Sequence, residues 1–377
     1  MNPVTRYYFD HNATTPVSPE VFQAMAPLMT TVFGNASSIH QFGQEARCEL
    51  DRARRSVAAM LGAKAEEIVF TGGGTEADNM AIFGAGGHVV TTTVEHPAVL
   101  QAAGQLPSAT FVPVDRRGVV DTEAVRAAIR PDTKLISVMH VNNELGVIQP
   151  VREIAEIAHE AGVLFHSDGV QAMGKLPVNV GELGVDFYSI SAHKIYGPKG
   201  MGALYIRKGA ELRPLLYGGP HERKMRAGTE NVAGAVGFGR AAEWVIEESG
   251  AEAARQSALR DRLEQGILAR VAGAHVNGAG AVRVGNTSNI RFDGIDSEPL
   301  LIALDLKGFA VSSGSACSSG ATEPSHVLAA IGLTREQARS SVRFSLGRSN
   351  NQEKIDALID AVVQVVTRLR KLAPAYV

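Results

Sequence analysis

The residues best able to do chemistry sit where a merely solvating side chain would be out of place. Residues 185–191, Val185-Asp-Phe-Tyr-Ser-Ile-Ser191, read as a buried strand, and Gly197-Pro198 turns the chain away. Lys194 lies between them, next to His193. Most lysines are surface groups. One just past an apolar strand can instead form a Schiff base with a carbonyl cofactor such as pyridoxal phosphate. Asp168 directly follows the apolar run 163–167, where an unpaired carboxylate is costly. It either caps the next helix or faces a cationic ring nitrogen and tunes a pyridine cofactor. His96 follows a strand over 88–94, with Pro97 suited to a first helical position, and Asn143 follows a strand over 134–141. Singly, each is as readily structural as functional. Together with Lys194 they fall at the carboxyl ends of successive strands, the edge where parallel sheets bind ligands.

An anion could be held nearby. Ile68-Val-Phe-Thr-Gly-Gly-Gly-Thr75 reads as strand, glycine turn and helix start, offering backbone N–H groups and the Thr75 hydroxyl. It is equally a tight turn, and it matches neither a dinucleotide fingerprint nor a Walker loop. On the far side of the sequence, Ser312-Ser-Gly-Ser-Ala-Cys317 has little apolar surface and predicts an exposed, flexible loop over about 312–324. An exposed thiol is an oxidation liability, which favours a catalytic role for Cys317. A flexible mount would let the sulfur move between a site and an outside acceptor. Cys48 lies among charged residues with nothing to activate it and reads as structural. Arg343, on the apolar run Val342-Arg-Phe-Ser345, calls for a carboxylate, either a substrate's own or an internal partner's.

Alternating strands and helices from about 40 to 210 must position these groups, the pattern of an α/β unit with a mainly parallel sheet. A helix starting near Gln41 carries Leu50, Ala53, Val57 and Leu61 on one face, and an amphipathic helix covers 151–161. The basic, glycine-rich segment 217–231 reads as a long functional loop. Two helices, 232–244 and 252–271, lead to a second unit with strands over 287–292, 309–313 and 341–345. A last helix presents Ile355, Leu358, Ile359, Val362, Val366 and Leu369 as a packing stripe.

The 377 residues are 45% hydrophobic, enough for a large core and two domains. A net charge of −2 gives no reason to expect nucleic acid or a membrane surface. Two cysteines exclude a disulfide framework, supply no metal site on their own and suit a reducing cytoplasm. The N-terminal residues lack the apolar core of a signal peptide.

Several blocks occur in one order: Phe9-Asp-His-Asn-Ala-Thr-Thr-Pro16, Gly74-Thr-Glu-Ala-Asp-Asn79, Glu95-His-Pro-Ala-Val99, Val141-Asn-Asn-Glu144, Ser191-Ala-His-Lys-Ile-Tyr-Gly-Pro-Lys-Gly200, Arg226-Ala-Gly-Thr-Glu-Asn231, Ser312–Cys317 and Val342-Arg-Phe-Ser-Leu-Gly347. Taken together, they make the chain resemble the cysteine desulfurases of the NifS/IscS type, in the class V aminotransferase superfamily. The resemblance implies an aspartate aminotransferase-like, fold-type I α/β enzyme. Its large pyridoxal-phosphate domain would span 15–255, and a smaller α/β domain would comprise 1–14 and 256–377. It implies that Lys194 carries the cofactor and moves the Cα proton of L-cysteine. Asp168 would pair with the pyridinium nitrogen, Gln171 with the ring hydroxyl, and His96 would stack on the ring. Gly74, Thr75, Ser191 and His193 would hold the phosphate, with Thr229 arriving from the partner of a homodimer. Asn143 and Arg343 would hold the substrate carboxylate, and Cys317 would receive sulfur as a persulfide for a scaffold or carrier protein in iron–sulfur assembly or other thio-cofactor synthesis.

Ala36, Gly169 and Ala192 depart from the commonest pattern, and altered packing is expected there. His40-Gln-Phe-Gly43 and Gly228-Thr-Glu-Asn231 look closer to the nitrogen-fixation type. Three other readings compete: another pyridoxal-phosphate lyase or transaminase (a selenocysteine lyase, for example), a non-catalytic sulfur-relay partner, and, least well supported, a dehydrogenase. Cys317 argues against the first, Lys194 with Asp168 against the second, and the missing dinucleotide fingerprint against the third.

Overall fold

The structure is a computed structural model that describes residues 5–314 and 324–372. A seven-stranded sheet forms its centre. The strand order is Ile68–Thr71, Gly202–Ile206, Phe187–Ser191, Leu164–Asp168, Thr133–Ser137, His88–Thr92 and Ala109–Val112. The last five are mutually parallel, whereas Gly202–Ile206 runs antiparallel to both its neighbours. Three of these strands, Ile68–Thr71, His88–Thr92 and Phe187–Ser191, are buried along their whole length, as expected where helices cover both faces. Two of the seven, the edge strand Ala109–Val112 and the antiparallel Gly202–Ile206, were not identified from the sequence.

Helix Gln41–Leu61 packs Ala46, Leu50, Ala53, Val57 and Leu61 into the main core. Burying Leu50 alone contributes on the order of 2 kcal/mol. The His40 side chain caps its start, and Gly62, at φ 66°, ends it in the left-handed conformation that favours glycine. One helical turn further on, Arg54 is buried and grips Glu222 through two contacts of 2.6 Å, which ties the long loop after Tyr217 to this helix.

A second core lies around strands Ser341–Ser345, Thr287–Phe292 and Ala274–Val276, which pair antiparallel. Helix Gln352–Leu372 covers it with Ile355, Leu358, Ile359, Val362 and Val366. The N-terminal Tyr7–Tyr8 pairs with Phe309–Ala310, and Phe9 is buried in this second core. Strand 309–313 is therefore shorter than expected, with an isolated bridge from Ser312 to Arg343 beyond it.

One expectation fails. Residues 232–271 do not form two helices but one of 39 residues, Val232–Arg270. Its first half buries Ala235, Phe238 and Ala242 in the main core, and its second half buries Leu259, Leu263 and Ile267 in the other. Anchorage at both ends outweighs the roughly 1 kcal/mol that Gly250 costs mid-helix. Among the described residues, no helix is long and apolar enough to cross a membrane.

Candidate active site

Strand Phe187–Ser191 ends in a short 3-10 turn, Ala192–Lys194, that carries the lysine off the sheet edge. Lys194 Nζ donates to the backbone carbonyls of Asn12 and of Ala13, the latter at 2.8 Å. Strand Leu164–Asp168 runs alongside, so Asp168 ends beside it. Asp168 is buried, and one of its oxygens accepts from Val170 N–H at 2.9 Å. Burial pushes its pKa up to about 6, while that hydrogen bond and the Lys194 charge pull the other way. A cationic ring nitrogen is the partner such a carboxylate lacks.

His96 caps helix Pro97–Gly104, with Nδ1 accepting from Ala98 N–H at 3.1 Å. That bond fixes the neutral tautomer with its proton on Nε2. Burial, then the Lys194 and His326 charges, lower its pKa to about 4. His193 is lowered to about 4 by burial and the charges of Lys194 and Lys199, and its Nδ1 meets Thr14 Oγ1 at 3.1 Å. Both rings are thus neutral at physiological pH.

Helix Gly74–Ala85 begins without a side-chain cap, after Gly73 at φ 156°. Its first N–H groups are therefore available to an anion. A Cβ on Gly74 would lie 2.7 Å from Val170 and 3.7 Å from Ser191, so only glycine lets the backbone approach this closely. Thr75 is exposed, Ser191 is buried, and Gln171 is buried two residues past Gly169. An uncapped helix start, a buried carboxylate and a strand-end lysine are the donor set that pyridoxal phosphate requires, and the residues fit it.

Asn12 connects the rest. Its carbonyl accepts from Lys194 and from Gln171 Nε2, and its Nδ2 donates to Asn143 O at 3.1 Å and Thr287 Oγ1 at 2.8 Å. Asn143 O also receives Arg343 Nη1 at 3.0 Å. Arg343 is 2% exposed and pairs with Asp10 through Nη2 at 2.6 Å, while among the described residues its Nε has no hydrogen-bond partner. The internal ion pair is thus what the structure contains. Thr229 is exposed, and among the described residues no hydrogen bond joins it to this cluster. Cys317 lies outside the described residues. Of the flanking described residues, Gly314 O accepts from Arg343 and Ser325 Oγ donates to Glu144 at 2.6 Å. Cys48 is exposed and not packed into the core as a structural cysteine would be.

The departures are legible as packing. A Cβ on Gly169 would lie 2.0 Å from the ring of Tyr188, which fills that space and bonds His140 Nδ1 at 2.7 Å. Ala36 and Ala192 are both buried. Asn12, Asp10 and Lys175 were not singled out from sequence. The Lys175–Asn12 and Arg343–Asp10 contacts span 163 and 333 residues of chain and leave no local signal.

The fold and site together define an enzyme scaffold of the pyridoxal-phosphate type. Residues 7–358 match the family described as Aminotransferase class-V, and the chain belongs to that family. It is 47% identical over 378 aligned positions to a protein of Dictyoglomus turgidum named cysteine desulfurase IscS, covering 97% of this chain and 96% of that one. A solved structure described as a NifS-like protein superposes with a TM-score of 0.91 at 37% identity, covering 97% of this chain and all of that one. Another, described as SspA in complex with cysteine, gives 0.81 at 36% identity over 91% of this chain and 99% of that one.

Proposed function

We propose that this chain is a pyridoxal-phosphate-dependent cysteine desulfurase that converts L-cysteine to L-alanine and passes the sulfur to Cys317 as a persulfide. The observation that carries the reading is the convergence of Lys194, buried Asp168 and neutral His96 beside an uncapped helix start. Lys194 would hold the cofactor and move the substrate Cα proton, with His96 against the ring. Asp168 would pair with the ring nitrogen and Gln171 with the ring hydroxyl. Gly74, Thr75, Ser191 and His193 hold the phosphate. When bound, pyridoxal phosphate supplies the electron sink that makes cleavage next to the amino carbon feasible. Asn143 and Arg343 receive the substrate carboxylate. The Cys317 thiolate attacks the substrate sulfur: an S–S bond forms, the C–S bond breaks, and its electron pair stays with carbon, which takes a proton to become the alanine methyl.

The division into 15–255 and 1–14 with 256–377 is supported by the two largest cores, and a smaller cluster joins Val327, Leu328 and Ile331 to Val94, Leu145 and Val147 across it. A homodimer is supported by Phe22, Met29, Phe33 and Ile39, which stand 65%, 66%, 66% and 92% exposed in the single chain. Exposed Thr229 then serves the phosphate site of the second copy. A monomeric mass by sedimentation would overturn that part. The sulfur goes to a scaffold or carrier protein, in iron–sulfur cluster assembly or another thio-cofactor route in the cytoplasm.

The test is alanine and sulfide formed from L-cysteine with a reductant, by wild type and by Cys317→Ala. Both products from wild type and a severe loss in the variant are expected. Equal turnover without Cys317 overturns the persulfide step.

A further inference from the structure

A second lysine lies beside the site with no role in the chemistry above. Lys175 Nζ donates to Asn12 Oδ1 at 3.0 Å and to Gln171 Oε1. Burial, followed by the charges of Lys194 and Arg343, pulls its pKa well below the usual 10.5. A lysine held inward against two cationic neighbours is costly unless its contacts matter.

Those contacts decide how two other groups point. Gln171 has two distinguishable amide ends. As an ammonium, Lys175 has no lone pair and can only donate, so in that form it selects the orientation with Oε1 toward itself. Nε2 is thereby turned to Asn12 O, donating at 2.9 Å, and among the described residues its second hydrogen has no other acceptor. Asn12 is fixed in the same way. Its Oδ1 accepts from Lys175 and from Asn286 Nδ2 at 3.0 Å, its Nδ2 is spent on Asn143 and Thr287, and its N–H on Ser345 Oγ at 2.9 Å. Asn12 O is one of the two carbonyls on which Lys194 rests.

We propose that Lys175 is a positioning residue: it locks the Gln171 amide with its N–H toward the cofactor ring oxygen and seats the Asn12 carbonyl beneath Lys194. The assignment rests on the pyridoxal-phosphate reading above. It places Lys175 one shell behind the cofactor, acting through Gln171 and Asn12 without touching the reacting atoms.

The test is titration of cofactor-free full-length protein with pyridoxal phosphate, followed by visible absorbance. Lys175→Met, which keeps the stem and loses every donor, should raise the dissociation constant about tenfold, the size of one or two lost hydrogen bonds. It should also shift the pH at which the bound cofactor's visible band titrates. In a Gln171→Ala background the same substitution should cost clearly less than in wild type, because only the part carried through Asn12 remains. Equal penalties in both backgrounds, or no penalty in either, would overturn the role. If Lys175→Met does not fold, Lys175→Leu, which likewise loses every donor, is judged by the same comparison. Wild type that binds no pyridoxal phosphate would instead sink the functional reading itself.

Discussion

The two sides of the site are built differently. On the large-sheet side, Lys194, Asp168 and His96 are presented by the ends of parallel strands, and burial has shifted two of them: His96 is held neutral, and the Asp168 pKa is raised to about 6. On the other side, Arg343 comes from an antiparallel strand and is already held by Asp10, Asn143 O and Gly314 O. The first side waits for a group that supplies a missing charge partner. The second must share or exchange a partner it already has. Preorganised fields suit a resident cofactor, whereas a competed ion pair suits a substrate that has to leave.

Three substitutions probe that contrast. Lys194→Ala, on the preorganised side, should abolish the visible absorbance of the purified protein and cut turnover by about 10²–10⁴-fold or more, the range for a lost proton-transfer group. Retained absorbance with full turnover would break the assignment. Arg343→Lys keeps the charge but loses the planar fork. It should raise KM for L-cysteine by about 10–100-fold, matching one charged hydrogen bond of about 1.5–3 kcal/mol, with a smaller change in kcat. A fall in kcat alone would place Arg343 away from substrate binding. The smallest effect is expected for Asp10→Asn, which removes the internal competitor. KM should fall, because the substrate carboxylate no longer competes with Asp10 for the buried guanidinium. A rise in KM would mean that Asp10 serves chiefly to aim the guanidinium.

Much of the sheet edge was legible before any coordinates. His96, Asn143, Asp168 and Lys194 each follow an apolar run and precede a turn or helix signal, and both cues are local. Helix Gln41–Leu61 and helix Gln352–Leu372 were legible for the same reason, since their buried faces recur at helical spacing. The break expected near 244–252 was wrong. Glu-Ser-Gly at 248–250 reads as punctuation locally, and only the two cores at either end show that the helix continues. Arg343 illustrates the same limit. Its need for a carboxylate could be read from its apolar neighbours, but Asp10, 333 residues away, could not be identified as the partner.

By itself the sequence determined the alternation of strands and helices, the strand ends where His96, Asn143, Asp168 and Lys194 fall, and the ordered blocks that mark the family. These depend on residue periodicity and on turn chemistry, both written within a few neighbouring residues. Tertiary structure decided what each polar group is paired with. It made Asn12 the junction between Lys194, Gln171, Lys175 and Asn143, put Tyr188 in the space left by Gly169, and gave Arg343 an internal partner. The reason is physical: a buried donor or acceptor must find its complement wherever the fold brings one, and chain separation does not constrain that choice.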